Sequence, residues 1–426
     1  MKRLLLGVFA GVAIVIPVGV WLTHPGPVFV WPLWIYRYGQ LFGLLGFVLL
    51  FLQFVLSSRA RLFERQIGLN ALLRVHAVTG MVGVVLLLAH GAFLTAFGFA
   101  TGSGLRIGGL RLLGVAGLVL VIVGAFPASI YRRLHLRYET WKAVHRAMWV
   151  VFPLVLIHAL FLGTHVGASP LLRGMWFTLI AIYVLIVTNR VTTFRRLMRN
   201  PYQVQDVVQE TPDTWTLELT GPSIDYSPGQ FMLLRLERDG RLSDSHPFTI
   251  SSSPTQDFLS ITSKAIGDFT SSLDRTRPGD AAYVEAPYGV FSYLNHTGLK
   301  LAFIAGSIGI TPFMSMLRYM RDTGDNRDVV PLWGNRTEHE IPFRGELSEI
   351  EKSLSGVKVA HVLSHEEDFP GEKGFITKEL VERHVSGIRE RQTFLCGPPA
   401  MMKRVGQTLA EMGLSKKQLH YERFVL

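Results

Sequence analysis

Residues 71 to 97 have the sequence ALLRVHAVTGMVGVVLLLAHGAFLTAF, a largely apolar run that contains one cation, Arg74, and two histidines, His76 and His90. About 20 such residues are enough for an α-helix to cross the hydrocarbon core of a bilayer. The run therefore predicts a membrane-spanning helix. Because a histidine inside a bilayer is costly, it usually has a partner or a function, so both histidines are candidate functional residues.

Five further stretches have the same length and apolar character. They are residues 4–22, 38–57, 110–131, 141–163 and 174–192. The first has Lys2 and Arg3 ahead of its apolar run, as a signal peptide does, but the run is long and Trp21-Leu-Thr-His is not a small-residue cleavage site. We therefore expect this segment to be retained, which predicts a six-helix transmembrane bundle over residues 1–199.

The charged residues are distributed unevenly over the 426 residues, whose formal net charge is +11. Residues 1–199 carry 19 lysines and arginines but only two acids, a net charge of +17, whereas residues 200–426 carry a net charge of −6. The bases occupy short loops between the spans, which is typical of membrane proteins and not of a groove that follows nucleic-acid phosphates. The lipid bilayer, and not nucleic acid, is the predicted partner.

The same bases predict the topology. One side of the bundle carries most of them: Lys2, Arg3, Arg59, Arg61, Arg65, Arg132, Arg133, Arg137, Arg190, Arg195, Arg196 and Arg199. The other side carries Arg37, Arg106, Arg111 and Arg173. Since positive loops stay in the cytoplasm, we expect a multi-pass protein of the cell membrane with both termini and everything after residue 200 cytoplasmic.

The pattern changes after Asn200-Pro201. Alternating segments such as Phe231-Met-Leu-Leu-Arg-Leu, separated by Pro-Gly turns, predict an antiparallel β-barrel over residues 200–297. From residue 298 to 426 strands alternate with helical stretches, which predicts an α/β domain with a parallel sheet. The predicted strands of this domain are residues 301–305, 329–333, 357–363, 393–396 and 419–424.

Two spans carry two histidines each, His76 and His90 on the third and His145 and His158 on the fifth. The separations of 14 and 13 residues correspond to about 21 and 20 Å along a helix. Because both spans run in the same direction, His76 can face His145 near the cytoplasm and His90 can face His158 near the exterior. Two bis-imidazole sites stacked across a bilayer suit two haems.

Alternatively, each histidine only forms a hydrogen bond across the bundle, although the matching depths of the two pairs favour haem. On an ideal helix His145 and His158 would point about 140° apart, and a kink at Pro153 would remove this difficulty. The single cysteine, Cys396, excludes a disulfide framework, a thiolate zinc cluster and a cysteine-ligated iron–sulfur centre. The sequence contains no Cys-x-x-Cys-His motif for c-type haem attachment either.

Three motifs in the predicted barrel suggest a flavin-binding site. His246-Pro-Phe-Thr-Ile-Ser-Ser-Ser ends a strand with hydroxyls and amides that can face a flavin ring, and Tyr226-Ser-Pro-Gly-Gln-Phe precedes it. In Lys264-Ala-Ile-Gly-Asp-Phe-Thr, Gly267 permits close approach and Thr270 begins a helix that can seat a pyrophosphate. The other candidate contacts in these motifs are His246, Pro247, Phe248, Thr249, Ser251, Ser252 and Lys264.

Two motifs in the α/β domain suggest a second nucleotide site. Ile304-Ala-Gly-Ser-Ile-Gly-Ile-Thr-Pro follows a strand and opens a helix, a natural seat for a dinucleotide pyrophosphate. Phe394-Leu-Cys-Gly-Pro-Pro follows a later strand, at the edge where ligands bind in open α/β sheets. The candidate residues are Gly306, Gly309, Thr311, Pro312, Cys396, Gly397 and Pro398. Arg336, after the second strand, either contacts the 2′-phosphate of NADPH or is only solvated.

With these motifs in this order, nearly the whole chain resembles the NADPH oxidase and ferric reductase group of transmembrane flavocytochromes. Its last 220 or so residues resemble the ferredoxin reductase-type flavoproteins. The resemblance implies that residues 246–249 form the FAD motif, that Gly267 and Thr270 belong to the FAD pyrophosphate segment, and that Gly306 to Pro312 hold the pyridine nucleotide. It further implies that Cys396 to Pro399 lie beside the nicotinamide and that Phe424 covers the flavin ring. The four membrane histidines match the haem ligands of the group.

The resemblance implies an NAD(P)H oxidoreductase that contains FAD and two b-type haems and uses NADPH or NADH as its donor. A hydride would reach FAD near Cys396 and Phe424, and electrons would leave through the haems to an external acceptor. That acceptor is oxygen, giving superoxide, or a ferric complex; Leu94, where some superoxide-producing relatives have a polar residue, leaves both open. Nothing in the sequence requires a protein partner. An alternative is a haem-sensing or transport protein, but the spans lack the acidic residues that ion relays use.

Overall fold

The computed structural model describes residues 2–23, 30–60, 63–64, 67–104, 108–130 and 138–423. The chain divides into two compact units, residues 1–193 and 194–426. The first contains apolar helices and the second contains two β-sheets. Phe424, predicted to cover the flavin ring, lies outside the described residues.

The described part of the N-terminal unit is helical. Its helices are α1 (Lys2–Thr23), α2 (Leu33–Ser57), α3 (Leu69–Ala100), α4 (Leu110–Ile130), α5 (Tyr138–Arg146), α6 (Met148–Leu162), α7 (Thr164–Ala168) and α8 (Pro170–Arg199). Within the described ranges, four helical segments are long and apolar enough to cross a membrane: Leu33–Ser57, Leu69–Ala100, Thr140–Leu162 and Pro170–Arg199. Ala10–Thr23 and Leu110–Ala125 are shorter apolar helices. The apolar helical region is confirmed, and the count of six spans stays a prediction.

Glycines allow close packing between neighbouring helices. On α2, a Cβ atom at Gly43 would lie 2.6 Å from the His90 ring of α3, and one at Gly46 would lie 2.7 Å from Leu87. On α4, a Cβ atom at Gly114 would lie 2.6 Å from the His158 ring of α6. Small residues let membrane helices approach closely. The histidine-bearing helices α3 and α6 are thus packed tightly against α2 and α4.

The fifth predicted span is interrupted. A turn at Ala147, six residues before Pro153, separates α5 from α6, and the kink that the sequence predicts at Pro153 stays a prediction. Pro153 has no N–H to donate to the carbonyl of Trp149, and the Tyr183 hydroxyl of α8 donates to that carbonyl instead at 2.6 Å. The interruption lies between His145 and His158, so their directions are not those of one ideal helix.

An antiparallel sheet opens the second unit. Its strands are β1 (Tyr202–Thr211), β2 (Thr214–Thr220), β3 (Phe231–Arg238), β4 (Arg241–Leu242), β5 (His246–Thr249), β6 (Leu259–Lys264) and β7 (Ala281–Tyr288). They pair in the order β4-β3-β7-β1-β2-β6, and β5 pairs with β3. Alternate residues of β2 and β3 face a core that includes Leu217, Leu219, Leu234 and Leu236. The antiparallel sheet is confirmed, whereas closure into a barrel stays a prediction.

A parallel sheet forms the rest of the unit. Its strands are β8 (Lys300–Gly306), β9 (Asp328–Asn335), β10 (Ala360–Leu363), β11 (Glu372–Lys373), β12 (Gln392–Cys396) and β13 (Leu419–Glu422). Its helices are α9 (Thr311–Thr323), α10 (Arg344–Ser353), α11 (Lys378–His384) and α12 (Pro399–Glu411). The strand order β11-β10-β9-β8-β12-β13 reverses direction between β8 and β12. Open α/β sheets bind ligands at the carboxyl ends of strands at such a switch point.

One predicted strand of this sheet is shorter than expected. Residues 357–363 were predicted as a strand, but only Ala360–Leu363 form β10. Val357 and Val359 are buried in the core without joining the ladder. Burial of alternate valines outside a strand produces the same sequence pattern as burial within one.

Candidate functional site

The four predicted metal-binding histidines meet in two pairs. The ring centroids of His76 on α3 and His145 on α5 are 6.0 Å apart, and their planes are inclined by 74°. The centroids of His90 on α3 and His158 on α6 are 6.4 Å apart, with planes inclined by 84°. The structure thus brings together the same residues that their matching depths had paired.

Backbone carbonyls of neighbouring helices hold three of the four rings. Each Nδ1 lies at hydrogen-bond distance from a carbonyl oxygen: His90 from Gly39 at 2.8 Å, His145 from Gly124 at 3.0 Å and His158 from Leu110 at 3.1 Å. Since a carbonyl can only accept, Nδ1 carries the proton and Nε2 keeps its lone pair. This tautomer is the one that a metal-binding histidine uses.

His76 occupies the equivalent position. Fourteen residues separate His76 from His90, and fourteen separate Gln53 from Gly39, so Gln53 is placed opposite His76 as Gly39 is opposite His90. The Gln53 carbonyl accepts from the Ser57 hydroxyl at 2.7 Å, and the Gln53 backbone is also the partner of the His76 ring, although the His76 Nδ1 contact is looser than an ordinary hydrogen bond. All four rings thus lie beside a backbone carbonyl of a neighbouring helix.

The separation of the rings fits a metal held between them. An imidazole nitrogen lies about 2 Å from a bound metal and about 1 Å from its own ring centroid, so two axial imidazoles place their centroids about 6 Å apart. The observed centroid separations are 6.0 and 6.4 Å. With Nδ1 oriented by a carbonyl in three of four cases, the residues fit two bis-imidazole haem sites.

Two further glycines lie one and two turns beyond His76 on α3, Gly80 and Gly83. In the sequence they are compatible either with room for a macrocycle or with ordinary packing of membrane helices. Cβ atoms at Gly80 and Gly83 would meet Gln53 and Leu49 of α2 at 3.2 and 3.3 Å. These glycines serve the contact between α3 and α2, not the space between the histidines.

The predicted FAD motif begins with β5. The ring of His246 stacks on that of Phe269, with centroids 4.1 Å apart and planes inclined by 17°. The ring of Phe248 lies 5.9 Å from the same Phe269. Pro247 is half-buried and Thr249 is buried. Aromatic packing thus joins β5 to the segment after β6, the two parts predicted to share a flavin.

The serines that follow β5 are fully buried. The hydroxyl of Ser251 lies 2.7 Å from that of Ser260 and 3.1 Å from that of Thr262. The Tyr226 hydroxyl lies 3.0 Å from that of Ser252. These hydrogen bonds tie the turn to the sheet and occupy the two hydroxyls that were predicted to face a flavin.

Hydrogen bonds within the segment after β6 hold it in a tight turn. The Thr270 hydroxyl accepts hydrogen bonds from the backbone N–H groups of Ile266 and Gly267 at 3.0 and 2.9 Å. Lys264 forms ion pairs with Glu340 at 2.7 Å and Asp213 at 3.0 Å. Burial alone would lower the pKa of Lys264, but its bonds to the two carboxylates outweigh burial and raise the pKa. Lys264 thus connects the antiparallel sheet to the α/β domain as a cation.

The two predicted nicotinamide-nucleotide motifs lie against each other at the switch point. A Cβ atom at Gly306 would lie 3.0 Å from Pro398, and one at Gly309 would lie 2.8 Å from Cα of Gly397. Gly309 also abuts the carbonyl of Cys396. Thr311 and Pro312 begin α9 and are buried. Glycine is required here because the two loops touch through their backbones.

The remaining predicted residues differ in exposure. Cys396 is fully buried, and burial raises the pKa of its thiol well above the usual value, so the thiol stays protonated. Arg336 is exposed directly after β9. Glu422 of β13 lies opposite Cys396 in the strand register.

Matches to known families cover both units. Residues 42–156 match the model for a ferric reductase like transmembrane component, residues 200–290 match an FAD-binding domain, and residues 303–407 match an oxidoreductase NAD-binding domain. These three domains, in this order, are those of the group that the sequence resembles. The chain thus combines a ferric reductase-like transmembrane domain with FAD-binding and NAD-binding domains of the ferredoxin reductase type.

Curated relatives match the soluble half of this ferric reductase-like oxidoreductase. The glycine betaine monooxygenase reductase subunit of Chromohalobacter salexigens is 32% identical over 230 residues, which are 51% of this chain and 62% of the relative. The propane 2-monooxygenase reductase component of Mycolicibacterium smegmatis is 31% identical over 233 residues, 52% of this chain and 66% of the relative. The matches thus span slightly less than two thirds of the relatives.

Among solved structures, a flavohemoglobin from Malassezia yamatoensis superposes with a TM-score of 0.50 at 19% identity. The superposition covers 92% of this chain and 96% of that chain. At this identity the likeness concerns the fold alone.

Two sets of residues in the ferric reductase-like oxidoreductase had no predicted role. The carbonyls of Gly39 and Gly124 orient histidines, and only the glycine spacing on α2 and α4 hinted at a close approach. Arg318 of α9 donates to the Ser251 carbonyl at 2.6 Å. An arginine in an amphipathic helix gives no sequence signal for this contact.

Proposed function

We propose that the chain is a multi-pass membrane oxidoreductase that passes electrons from cytoplasmic NAD(P)H through FAD and two b-type haems to external oxygen, giving superoxide. The observation that carries the proposal is the pairing of His76 with His145 and of His90 with His158 at 6.0 and 6.4 Å. When bound, FAD accepts the two electrons of a hydride and releases them singly, as a haem iron requires.

The residues of the N-terminal unit would hold and orient the haems. His76 and His145 would bind the inner haem and His90 and His158 the outer one. The carbonyls of Gly39, Gly124 and Leu110 keep the protons on Nδ1, so that each Nε2 would be available to bind a haem iron. Such bonds fix ring orientation and raise the basicity of the ligand.

The C-terminal unit would bind the electron donor, NAD(P)H. The loop from Gly306 to Pro312 and the amino end of α9 offer backbone N–H groups and a positive helix end to a pyrophosphate. The Gly397-Pro398 segment lies against that loop, so a nucleotide held by one would contact the other. Cys396, protonated and buried, would shape this edge without acting as a nucleophile.

The positive loops support the proposed topology. Arg195, Arg196 and Arg199 lie exposed at the end of α8, immediately before the flavin and nucleotide domains. The positive-inside rule places this end in the cytoplasm, where NAD(P)H is available. The final acceptor would then be reached on the opposite side.

A ferric complex is the second candidate acceptor, and the ferric reductase like match of residues 42–156 favours it. The reductase components among the relatives are named for monooxygenases, but they match only the soluble half. Rates of superoxide formation and of ferric-chelate reduction, measured side by side on one preparation, distinguish the two external acceptors.

The optical spectrum of the purified protein under anaerobic NADPH tests the electron path. We expect two haems per chain whose Soret bands shift on reduction, and one haem each in His76→Ala and His158→Ala. His165→Ala, a buried membrane-half histidine outside the pairs, serves as the control and should retain two. Two haems in all three variants, or a parent Soret band that shifts with neither NADPH nor NADH, contradicts the proposal.

A further inference from the structure

One helix of the C-terminal unit links the two nucleotide motifs. Helix α9 begins directly after the Gly306–Ile310 loop, and three residues on one of its faces contact the turn that follows β5. Residues 315, 318 and 322 share a face because they are three and four positions apart. The contacts are Ser315 Oγ to Ser252 O at 2.7 Å, Arg318 Nη1 to Ser251 O at 2.6 Å, and Thr255 Oγ1 to Asp322 Oδ2 at 2.5 Å.

Arg318 is the most constrained of these residues. Its side chain is buried, and its Nε and Nη2 donate to the two carboxylate oxygens of Glu346 on α10 at 2.8 and 2.5 Å. Its guanidinium carbon lies 5.0 Å from the ring centre of Phe343. Because the guanidinium is planar, its pairing with Glu346 and its contact with Phe343 fix the direction of Nη1, which donates to Ser251 O.

We propose that Arg318 is a positioning residue that sets the geometry of hydride transfer from NAD(P)H to the flavin. The inference rests on the proposed function, in which the Gly306–Pro312 loop binds NAD(P)H and the β5 motif binds FAD. Hydride transfer oxidises NAD(P)H to NAD(P)⁺ and gives the flavin two electrons and one proton. The amino end of α9 belongs to the proposed nicotinamide-nucleotide site, and one face of α9 contacts the proposed flavin site. This helix therefore determines the distance between the two reacting atoms.

The contacts of Arg318 therefore bear on rate more than on affinity. A misplacement of about 1 Å can slow a reaction about 100-fold. Arg318 belongs to neither of the two proposed nucleotide-binding motifs, so we expect each cofactor still to bind in its absence. A merely structural role would instead lower FAD content or stability and leave the rate per bound flavin unchanged.

The test compares two buried arginines in the full-length, FAD-loaded protein. Lysine at Arg318 keeps the charge but loses the fork. Arg391→Lys is the matched control, because Arg391 is also buried and bonds Leu301 O at 3.0 Å and Asp328 Oδ2 at 2.7 Å, at the opposite ends of the strands. Anaerobic stopped-flow absorbance follows flavin reduction by NADPH. We expect Arg318→Lys to reduce its flavin about 10- to 100-fold more slowly, with FAD content and half-saturating NADPH unchanged.

Two results would overturn the inference and leave the proposed function standing. One is a rate of flavin reduction in Arg318→Lys equal to that of the parent, and the other is an equal slowing in Arg318→Lys and Arg391→Lys. A parent protein whose flavin is reduced by neither NADPH nor NADH refutes the proposed function itself. If Arg318→Lys does not fold, Glu346→Gln and Ser315→Ala replace it. A slowed flavin reduction in these variants supports the inference, and parental rates overturn it.

Discussion

The indole Nε1 of Trp333 donates a hydrogen bond to the carbonyl oxygen of Ser307 over 3.0 Å. Ser307 has a φ of 48°, in the left-handed region that costs residues with a Cβ about 1 to 2 kcal/mol. Trp333 is completely buried on β9, beside β8. A side chain that cannot move away thus holds the unfavourable turn at which the nucleotide loop begins.

Glycine at position 307 should stabilise the protein. Ser307→Gly removes the left-handed cost, partly offset by the greater freedom of glycine in the unfolded chain, so we expect the free energy of unfolding to rise by about 0.5 kcal/mol. Ser307→Ala keeps the Cβ atom and should give no gain. Trp333→Phe removes the indole bond and should lower stability and weaken NADPH binding. Denaturant titration of the three variants checks this, and a Ser307→Gly protein less stable than the parent contradicts it.

Features that recur along the sequence could be predicted before the structure was seen. The apolar runs predicted the helices, and the depths of His76, His90, His145 and His158 predicted their pairing. The break at Ala147 could not be predicted, because neither glycine nor proline occupies that position. A kink at Pro153 stays a prediction, although the carbonyl that Pro153 leaves without its helical donor accepts from Tyr183.

Contacts made by backbone groups and buried charges were beyond prediction. Every residue has a carbonyl, so nothing in the sequence singles out that of Gly39 as the partner of His90. Arg318 lies in a helix whose other cation, Arg321, is more exposed, and its burial follows from tertiary packing against Glu346. Ser251 and Ser252 have the composition of a ligand-binding turn, yet their hydroxyls are used within the sheet.

Alanine at Gly43 or Gly114 should remove the outer haem that we propose. Either Cβ atom would lie 2.6 Å from an imidazole, that of His90 or His158, and the ring would have to move off its carbonyl. Alanine also favours helix by about 1 kcal/mol over glycine, so a general loss of helix is not expected. Haem per chain, measured as the pyridine haemochrome, should fall from two towards one.

Gly174→Ala on α8 is the control for both substitutions, because a Cβ atom there meets nothing within 4 Å. It should retain two haems. Full haem content in Gly43→Ala and Gly114→Ala would show that the outer ring pair tolerates displacement, against the proposed ligand geometry.

Removing the Tyr183 hydroxyl should destabilise the interrupted span. In Tyr183→Phe the Trp149 carbonyl loses its donor, and an unsatisfied buried carbonyl costs about 1 to 2 kcal/mol. Pro153→Ala restores a backbone N–H four residues after Trp149. The Tyr183→Phe loss should therefore be smaller when combined with Pro153→Ala, and thermal unfolding of the four proteins in detergent measures the coupling. Strictly additive losses would refute it.

Stability of the C-terminal unit should fall in mild acid. The ring centroids of His420 on β13 and His296 are 3.8 Å apart, and His420 Nε2 lies 2.8 Å from Gln392 Oε1. Burial, and secondarily the charge of His296, lowers the pKa of His420 to about 4. Since the unfolded chain has the ordinary value of about 6.5, it binds more protons between these values, so stability is complete above pH 6.5 and declines towards pH 4.

Replacing His420 tests this origin of the acid sensitivity. We expect the parent to lose about 1 kcal/mol between pH 7 and pH 5 through this group, a figure reduced for its partial contact with solvent. His420→Phe keeps an aromatic ring beside His296 and Phe394 but cannot be protonated, so its unfolding free energy should decline less over that range. His339→Phe, at an exposed position, should follow the parent. An equal decline in all three proteins would assign the acid sensitivity to other groups, because only His420→Phe removes the imidazole whose pKa is lowered on folding.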